Sequence, residues 1–519
     1  MSTNARLAGA ALGHLAGLGV REFVVCAGAR NAPLVTSLLA ACQEKELRVY
    51  HHFDERAAAF FGMGLAKKTG EPVAILTTSG TAVAELLPAT IEAFYSGIPL
   101  ILVTADRPPA FRGSGAPQAI EQAGIFGSYA PVMIDVTGEQ DLALLSGWAG
   151  NEPLHLNLCF GEPGPGDVCA DWESVTLPVA RAHEKHDMGE TLSSFCEGTD
   201  RLVVLLGELP AAWQPEVVQF LSGLGAPVWA EATSGLRESP ILAGQLIRSE
   251  SLLGTLASQK ILRLGGVPSL RFWRDLEQLP EIAVLSLSRR PFSGLARASG
   301  LLVSDEFPGF ASTQEGRVED LTLLSDEKLD AALLNHRSSE PAMLRELSRQ
   351  IPSEALVFLG NSLPIREWNL AASLDIPHPR TFASRGANGI DGQIATFLGL
   401  SEGEAESWGI VGDLTALYDL NAPALIDQLS RGRRRLVILN NGGGRIFSRL
   451  PSMAGLSEAR KQVTENRHSR RFADWAAMWD FDYVSWMAGD PFPLISGDFA
   501  VIEILLDNES TEAFWEARK

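Results

Sequence analysis

The segment Pro72–Ala105 reads PVAILTTSGTAVAELLPATIEAFYSGIPLILVTA. Two short apolar runs, Pro72–Thr78 and Pro99–Ala105, flank a helix-length stretch, Thr81–Phe94, that opens on hydroxyls and a glycine. Strands joined by a helix cannot form a tight hairpin, so the pair is expected to lie parallel in one sheet with the helix across its face. Upstream the alternation continues: Glu22–Gly28 and Leu47–Phe53 read as strands, Asn31–Gln43 and Glu55–Lys68 as helices. This is a βαβ series with helices on both faces of a parallel sheet. It fades in Glu162–Thr199, a linker-like stretch, and returns in Leu202–Gly207, Pro227–Ala230, Lys260–Gly265, Ile282–Ser288 and Leu301–Ser304. After a polar helical stretch, Ser325–Gln350, a third series reads Ala355–Gly360, Ser407–Val411, Arg435–Asn440 and Val501–Leu506. The reading is α/β throughout: three doubly wound parallel-sheet domains, over 1–180, 190–335 and 345–519. No fixed-period repeat is visible, although two of the domains could share a topology without leaving a trace in the sequence.

The 519 residues, 46% hydrophobic and 20% charged, suit about three folded domains. With a net charge of −20 and no basic cluster denser than Arg431–Arg435, the surface repels nucleic-acid backbones and anionic lipid. No apolar run approaches the roughly 18–20 residues that span a bilayer, and the first residues lack a signal-peptide layout. A cytoplasmic protein is expected. The cysteines, Cys26, Cys42, Cys159, Cys169 and Cys196, are scattered and never CxxC, which predicts reduced thiols and no zinc site.

Ligands of such sheets bind where strands end, among exposed N–H groups and helix N-termini. The first strand ends Cys26-Ala27-Gly28-Ala29-Arg30-Asn31, without the spacing of a P-loop or a dinucleotide fingerprint. The second ends His51-His52-Phe53-Asp54-Glu55-Arg56; Asp54 reads as a cap and the histidines as structural. Glu55 opens a helix apolar on nearly every face, so its carboxyl is expected at a buried junction and in need of a partner. Arg30 and Arg107 fall on loops at one sheet edge. Arg366 and Arg385 recur near the ends of the third series, where Gly386, Gly389 and Gly392 suit close backbone wrapping. Converging arginines point to an anionic ligand. The strongest signal is Gly412-Asp413-Leu414-Thr415 at one strand end, with Asn440-Asn441-Gly442-Gly443-Gly444 at the next, Asn441 lying 28 positions after Asp413. A carboxylate, an amide oxygen and free carbonyls are hard ligands suited to Mg²⁺ bridged to a diphosphate.

The motifs HFDER, TSGTA, TADRP, GNSLPIR, SRGANGIDG, GDLTALYDLNA and NNGGGRIF together resemble the thiamine-diphosphate enzymes. Within them the resemblance is to the 2-succinyl-5-enolpyruvyl-6-hydroxy-3-cyclohexene-1-carboxylate synthases of menaquinone biosynthesis. It is dense in the first and third series and weak in the middle one. It implies a pyrimidine-binding domain, a central domain, and a domain binding diphosphate and Mg²⁺ or Mn²⁺. It also implies a homodimer or homotetramer with active sites at the subunit interface. On that resemblance Glu55 is the catalytic acid facing the cofactor pyrimidine, and Ser362, Ile390, Gly412, Leu414 and Thr415 also contact the cofactor. Asp413, Asn441 and the Gly443 carbonyl hold the metal. The implied reaction is decarboxylation of 2-oxoglutarate and conjugate addition of the succinyl-semialdehyde carbanion to isochorismate. Ser362, Arg366 and Arg385 would serve 2-oxoglutarate, with Ile446, Phe447 and Leu450 as an apolar wall; Arg30, Arg107, Gln118 and Arg271 would serve isochorismate.

The chain departs from that pattern at four places. Ser-Pro-Gly-Ser-Arg is replaced by Cys26-Ala27-Gly28-Ala29-Arg30, an asparagine by Pro117, a lysine by Leu270, and a neutral residue by Arg445. The sequence places all four on the acceptor side. It leaves open a related decarboxylase with another acceptor, in the manner of acetolactate synthase, and a silent α/β binding protein.

Overall fold

The computed structural model describes residues 1–177, 188–197, 201–256, 258–309, 326–453 and 455–518. Their strands are β1 (Glu22–Val25), β2 (Arg48–His51), β3 (Val73–Thr77), β4 (Leu100–Asp106), β5 (Val132–Val136), β6 (Leu154–Cys159), β7 (Leu202–Leu206), β8 (Val228–Ala230), β9 (Lys260–Leu264), β10 (Ala283–Ser288), β11 (Gly300–Val303), β12 (Leu356–Leu359), β13 (Thr381–Phe382), β14 (Glu406–Gly412), β15 (Arg433–Asn440), β16 (Asp482–Trp486) and β17 (Phe499–Leu505). They form three sheets, ordered β2-β1-β3-β4-β6-β5, β11-β10-β9-β7-β8 and β13-β12-β14-β15-β17-β16. Every pairing in them is parallel. The first and third sheets have the same order of succession, so two of the three α/β layers share one topology.

Period-two burial shows how the first sheet is covered. Phe23, Val25, Ala74, Leu76, Ile101 and Val103 join one core with Leu7, Leu12 and Leu15 of helix Thr3–Gly17 and Leu34 and Leu38 of helix Ala32–Ala41. The alternate residues Val73 and Ile75 face Gly62 of helix Glu55–Thr69, where a Cβ would stand 2.2 Å from the Ile75 side chain. Being apolar on both faces is what makes β3 and β4 legible as uninterrupted runs. β5 and β6 escape the sequence reading because they carry Asp135, His155 and Asn157. Those groups are buried or half-buried in a network in which Thr104 Oγ1 donates to Asn157 Oδ1 at 2.8 Å and Arg112 makes two 2.7 Å bonds to Asp135. The expected helix Thr81–Phe94 is two, Thr81–Ala84 and Leu87–Ser96, with Pro88 in the first turn of the second, where its missing N–H costs nothing. Ser325 lies outside the described residues. Downstream of it the polar stretch forms Glu327–Asn335 and Glu340–Ser348, again restarted by a proline. Part of the linker-like stretch is helical, at Met188–Cys196; residues 178–187 and 198–200 lie outside the described residues. The five cysteines are free thiols.

The described chain groups into two compact units: Met1–Ala182 with Gly386–Gly403 and Leu417–Ser430, and His183–Arg385 with Glu404–Ala416 and Arg431–Lys519. In the first unit helix Gln393–Ser401 crosses helix Glu55–Thr69 at near backbone contact. A Cβ on Gly64 would meet the Thr396 carbonyl at 2.3 Å, and one on Gly399 the Phe61 carbonyl at 2.2 Å. In each six-stranded sheet the strand succession reverses beside its first strand, between β1 and β3 and between β12 and β14. The loops at those crevices carry TSGTA after β3, GNSLPIR after β12 and GDLTALYDLNA after β14.

Candidate active site

In the second unit β14 and β15 end level, Gly412 opposite Leu439, so Asp413 and Asn441 emerge side by side. Asp413 is buried, and its Oδ2 accepts the Gly442 and Gly443 N–H groups at 2.7 and 2.9 Å, with His468 Nε2 at 3.4 Å. Burial raises its pKa, opposed by His468 and by these N–H donors. Gly443 has φ +141°, and a Cβ there would lie 2.6 Å from the Glu465 carbonyl, so the glycine run is dictated by how closely the loop packs. Asn441 is buried; its Nδ2 donates to Glu340 Oε2 at 3.1 Å, while its Oδ1 is buried without a partner. A divalent cation needs an orphaned hard oxygen of this kind beside a carboxylate, so the residues present fit Mg²⁺ or Mn²⁺. Among the described residues no group of three or more His, Cys, Asp or Glu side chains forms a metal site. The candidate set is one carboxylate, one amide and one carbonyl.

The Ser362 loop follows β12. Ser362 sits at φ +74°, one of six non-glycine residues at positive φ among the described residues; Gln118 and Asn388 are two others, at +55° and +63°. Ser362 and Asn388 lie within motifs and Gln118 on the loop that follows TADRP, places where backbone strain concentrates when surroundings enforce it. Arg385 Nη1 donates to Asn361 Oδ1 at 2.8 Å and Arg366 Nη1 to the Ser362 carbonyl at 2.6 Å. Both cations act on the buried Glu231, whose carboxylate accepts the Ser269 N–H at 2.7 Å; burial raises its pKa against their pull. Ile446 and Phe447 form the short helix Arg445–Arg449, and Leu450 ends it. Arg445, one of the departures, donates through Nε to the Asn441 carbonyl at 3.2 Å and through Nη1 to Glu465 Oε2 at 3.2 Å. Its contacts therefore lie on the candidate metal loop. Leu270 is buried in the core of the middle sheet, and Arg271 is 63% exposed and pairs with Asp275 at 3.6 Å. No described contact brings Arg271 to the other arginines.

In the first unit Asp54 caps helix Glu55–Thr69 by accepting the Ala57 N–H at 3.1 Å, and His52 Nε2 bonds the Asn421 carbonyl at 3.1 Å, as cap and structural histidine. Ala57 to Ala66 are all buried. Glu55 is half-buried, with no other side chain bonded to it among the described residues. Burial, with Asp54 and Glu85 nearby, raises its pKa. Cys26, where the family carries serine, is buried close enough for Glu55 and Asp54 to help push its thiol up. Arg30 is buried and its Nη2 reaches Glu162 Oε2 at 3.1 Å; Arg107 Nη1 stands 3.9 Å from the same oxygen. The two predicted arginines thus converge, on an exposed glutamate of the chain itself. Gln118 is exposed beside Gly80.

The loop carrying Ile390 is anchored by a residue that sequence reasoning misses. Buried Glu92 accepts the N–H groups of Gly386, Ala387 and Asn388 at 2.7, 2.6 and 3.3 Å. Gly392, at φ +67°, would drive a Cβ into the Phe60 ring. Protein contacts therefore account for Gly386 and Gly392. Glu92 looks like any helix glutamate in the sequence, and the N–H groups it binds lie 294 to 296 residues away.

Residues 6–125 match the family profile described as thiamine pyrophosphate enzyme, N-terminal TPP binding domain. The chain is similar to the 2-succinyl-5-enolpyruvyl-6-hydroxy-3-cyclohexene-1-carboxylate synthase of Bdellovibrio bacteriovorus, 40% identical over 536 residues that cover 99% of this chain and 98% of the relative. The proteins of the same name from Akkermansia muciniphila and Chloroflexus aurantiacus are 41% and 32% identical, covering 95% and 92% of this chain and 95% and 90% of the relatives. With the Gly-Asp and Asn-Asn strand ends side by side and the likeness running end to end, the chain belongs to the 2-succinyl-5-enolpyruvyl-6-hydroxy-3-cyclohexene-1-carboxylate synthase family of thiamine-pyrophosphate enzymes.

Proposed function

We propose that this chain decarboxylates 2-oxoglutarate and adds the resulting four-carbon fragment to isochorismate, giving 2-succinyl-5-enolpyruvyl-6-hydroxy-3-cyclohexene-1-carboxylate for menaquinone biosynthesis. The observation that carries this reading is Glu55, a half-buried carboxyl of raised pKa with no other side chain bonded to it among the described residues. When bound, thiamine diphosphate supplies the nucleophilic carbon and the electron sink that the decarboxylation of a 2-oxo acid needs. Glu55 would hold a proton on its carboxyl toward the pyrimidine nitrogen of a partner subunit's cofactor, which makes the working unit a homodimer or homotetramer. Asp413, Asn441 and the Gly443 carbonyl would hold Mg²⁺ or Mn²⁺, beside Gly412, Leu414 and Thr415, with Ile390 against the cofactor rings. Ser362, Arg366 and Arg385 would receive 2-oxoglutarate against Ile446, Phe447 and Leu450. Arg30, Arg107, Gln118 and Arg271 would receive isochorismate. The domain limits 1–180, 190–335 and 345–519 and a cytoplasmic location belong to the same reading; no helix among the described residues is long and apolar enough to cross a membrane.

Purified chain with thiamine diphosphate, Mg²⁺, 2-oxoglutarate and isochorismate is expected to release CO₂ and form adduct in equal amounts. CO₂ release that is indifferent to isochorismate, with no adduct, would favour another acceptor. Absence of CO₂ would favour a binding protein.

The Glu162 carboxylate stands where the two acceptor-side arginines meet, so an anionic substrate must displace it. Glu162→Gln is expected to lower the isochorismate KM by about two- to fivefold, the worth of an exposed ion pair, with kcat unchanged. A raised KM would mean that Glu162 aligns the arginines instead of competing for them.

A further inference from the structure

We propose that Glu340 is a positioning residue that fixes which end of the Asn441 amide faces the metal, an inference that rests on the metal reading of Asp413, Asn441 and Gly443. An amide side chain is nearly symmetric in shape, and only its neighbours decide whether NH₂ or oxygen points a given way. Glu340 accepts from Asn441 Nδ2 at 3.1 Å through Oε2 and 3.4 Å through Oε1, both groups being buried. With both Glu340 oxygens accepting from Nδ2, the NH₂ end is turned toward Glu340 and Oδ1, buried and unpartnered, is left as the free hard oxygen. Both members of the pair are braced from one element. The Glu340 N–H donates to Thr511 Oγ1 at 3.0 Å, and Asn508 Nδ2 donates to the Asn441 carbonyl at 3.0 Å. Helix Asn508–Ala517, capped by Asp507, therefore clamps acceptor and donor in register.

A buried carboxylate is a costly way to fill that space. Arg449 and Arg445 lie within electrostatic reach of Glu340, and Arg449 Nη2 stands 3.9 Å from a second buried acid, Glu367. The arrangement keeps two acceptor oxygens at a point where an apolar side chain would leave the amide free to turn over. Partners of metal ligands elsewhere are worth 10- to 100-fold in metal affinity, because they fix orientation before the ion arrives.

The test is Mn²⁺ binding to the full chain with thiamine diphosphate present, read by electron paramagnetic resonance and calorimetry instead of by turnover. Glu340→Met should weaken Mn²⁺ by roughly 10- to 100-fold. Glu340→Gln, which can still present an acceptor oxygen, should recover most of that loss. In an Asn441→Ala background Glu340→Met should change nothing further, whereas a general packing role would weaken binding in both backgrounds and overturn the proposal. Should Glu340→Met fail to fold, Glu340→Asp, which withdraws the acceptor by one methylene, is expected to cost about 10-fold, and unchanged binding overturns the proposal. Asp413→Asn separates the two readings: if it abolishes Mn²⁺ binding while Glu340→Met leaves the affinity unchanged, Glu340 has no such role. If neither variant alters binding, the ion is not held here and both readings fall.

Discussion

Glu55→Gln is expected to leave thiamine diphosphate bound and to reduce kcat by roughly 100- to 10,000-fold, the range for losing a positioned proton donor. The substitution keeps size and hydrogen-bonding capacity but removes the exchangeable carboxyl proton. Burial, with Asp54 and Glu85 nearby, raises the Glu55 pKa, so its proton is held to higher pH than in a free glutamic acid. The fold should not suffer, because Asp54 caps the helix and Ala57 to Ala66 bury its body. Only an acidic first-turn interaction with the helix dipole is lost, about 1 kcal/mol or less. Cofactor titration by circular dichroism, with CO₂ release and adduct formation measured on the same sample, separates binding from turnover. Undiminished turnover would remove Glu55 from the mechanism.

Asp413→Asn should weaken Mg²⁺ by more than about 100-fold, beyond the loss typical of outer partners, and thiamine diphosphate with it. The carboxylate has two duties that the substitution divides. Its Oδ2 gathers the Gly442 and Gly443 N–H groups, which an amide oxygen can still do; its negative charge toward a divalent cation is lost. The expected outcome is an intact loop with little metal affinity, read by calorimetry with Mg²⁺ in place of any activity assay. Near-normal Mg²⁺ affinity would move the ion away from the ends of β14 and β15.

How much of this was legible follows from what each element needs. β3 and β4 are apolar on both faces, so their identity shows in seven or fewer consecutive residues. β5 and β6 bury Asp135, His155 and Asn157 against Thr104 and Arg112, and nothing local says that those polar groups have partners. In the site, Asp413 and Asn441 are legible because oxygen-bearing residues after apolar strands point to one crevice. Glu92, Glu231 and Glu340 are not, since each reads as an ordinary surface acid until its partner arrives from elsewhere in the chain. The arginines were expected to meet an anion. That Arg30 and Arg107 already meet Glu162, and that Arg366 and Arg385 lie within electrostatic reach of Glu231, could not be read from either segment alone.

The sequence by itself determined the α/β class, the parallel sheets and the motifs at strand ends, because periodicity and turn chemistry act over a few residues. The tertiary structure alone decided the shared strand order of the first and third sheets, the capture of the Gly386–Asn388 N–H groups by Glu92, and the orientation of Asn441 by a carboxylate 101 positions away. Hydrogen bonds are short-ranged and directional, so their pairing exists only once packing has brought distant segments within about 3 Å.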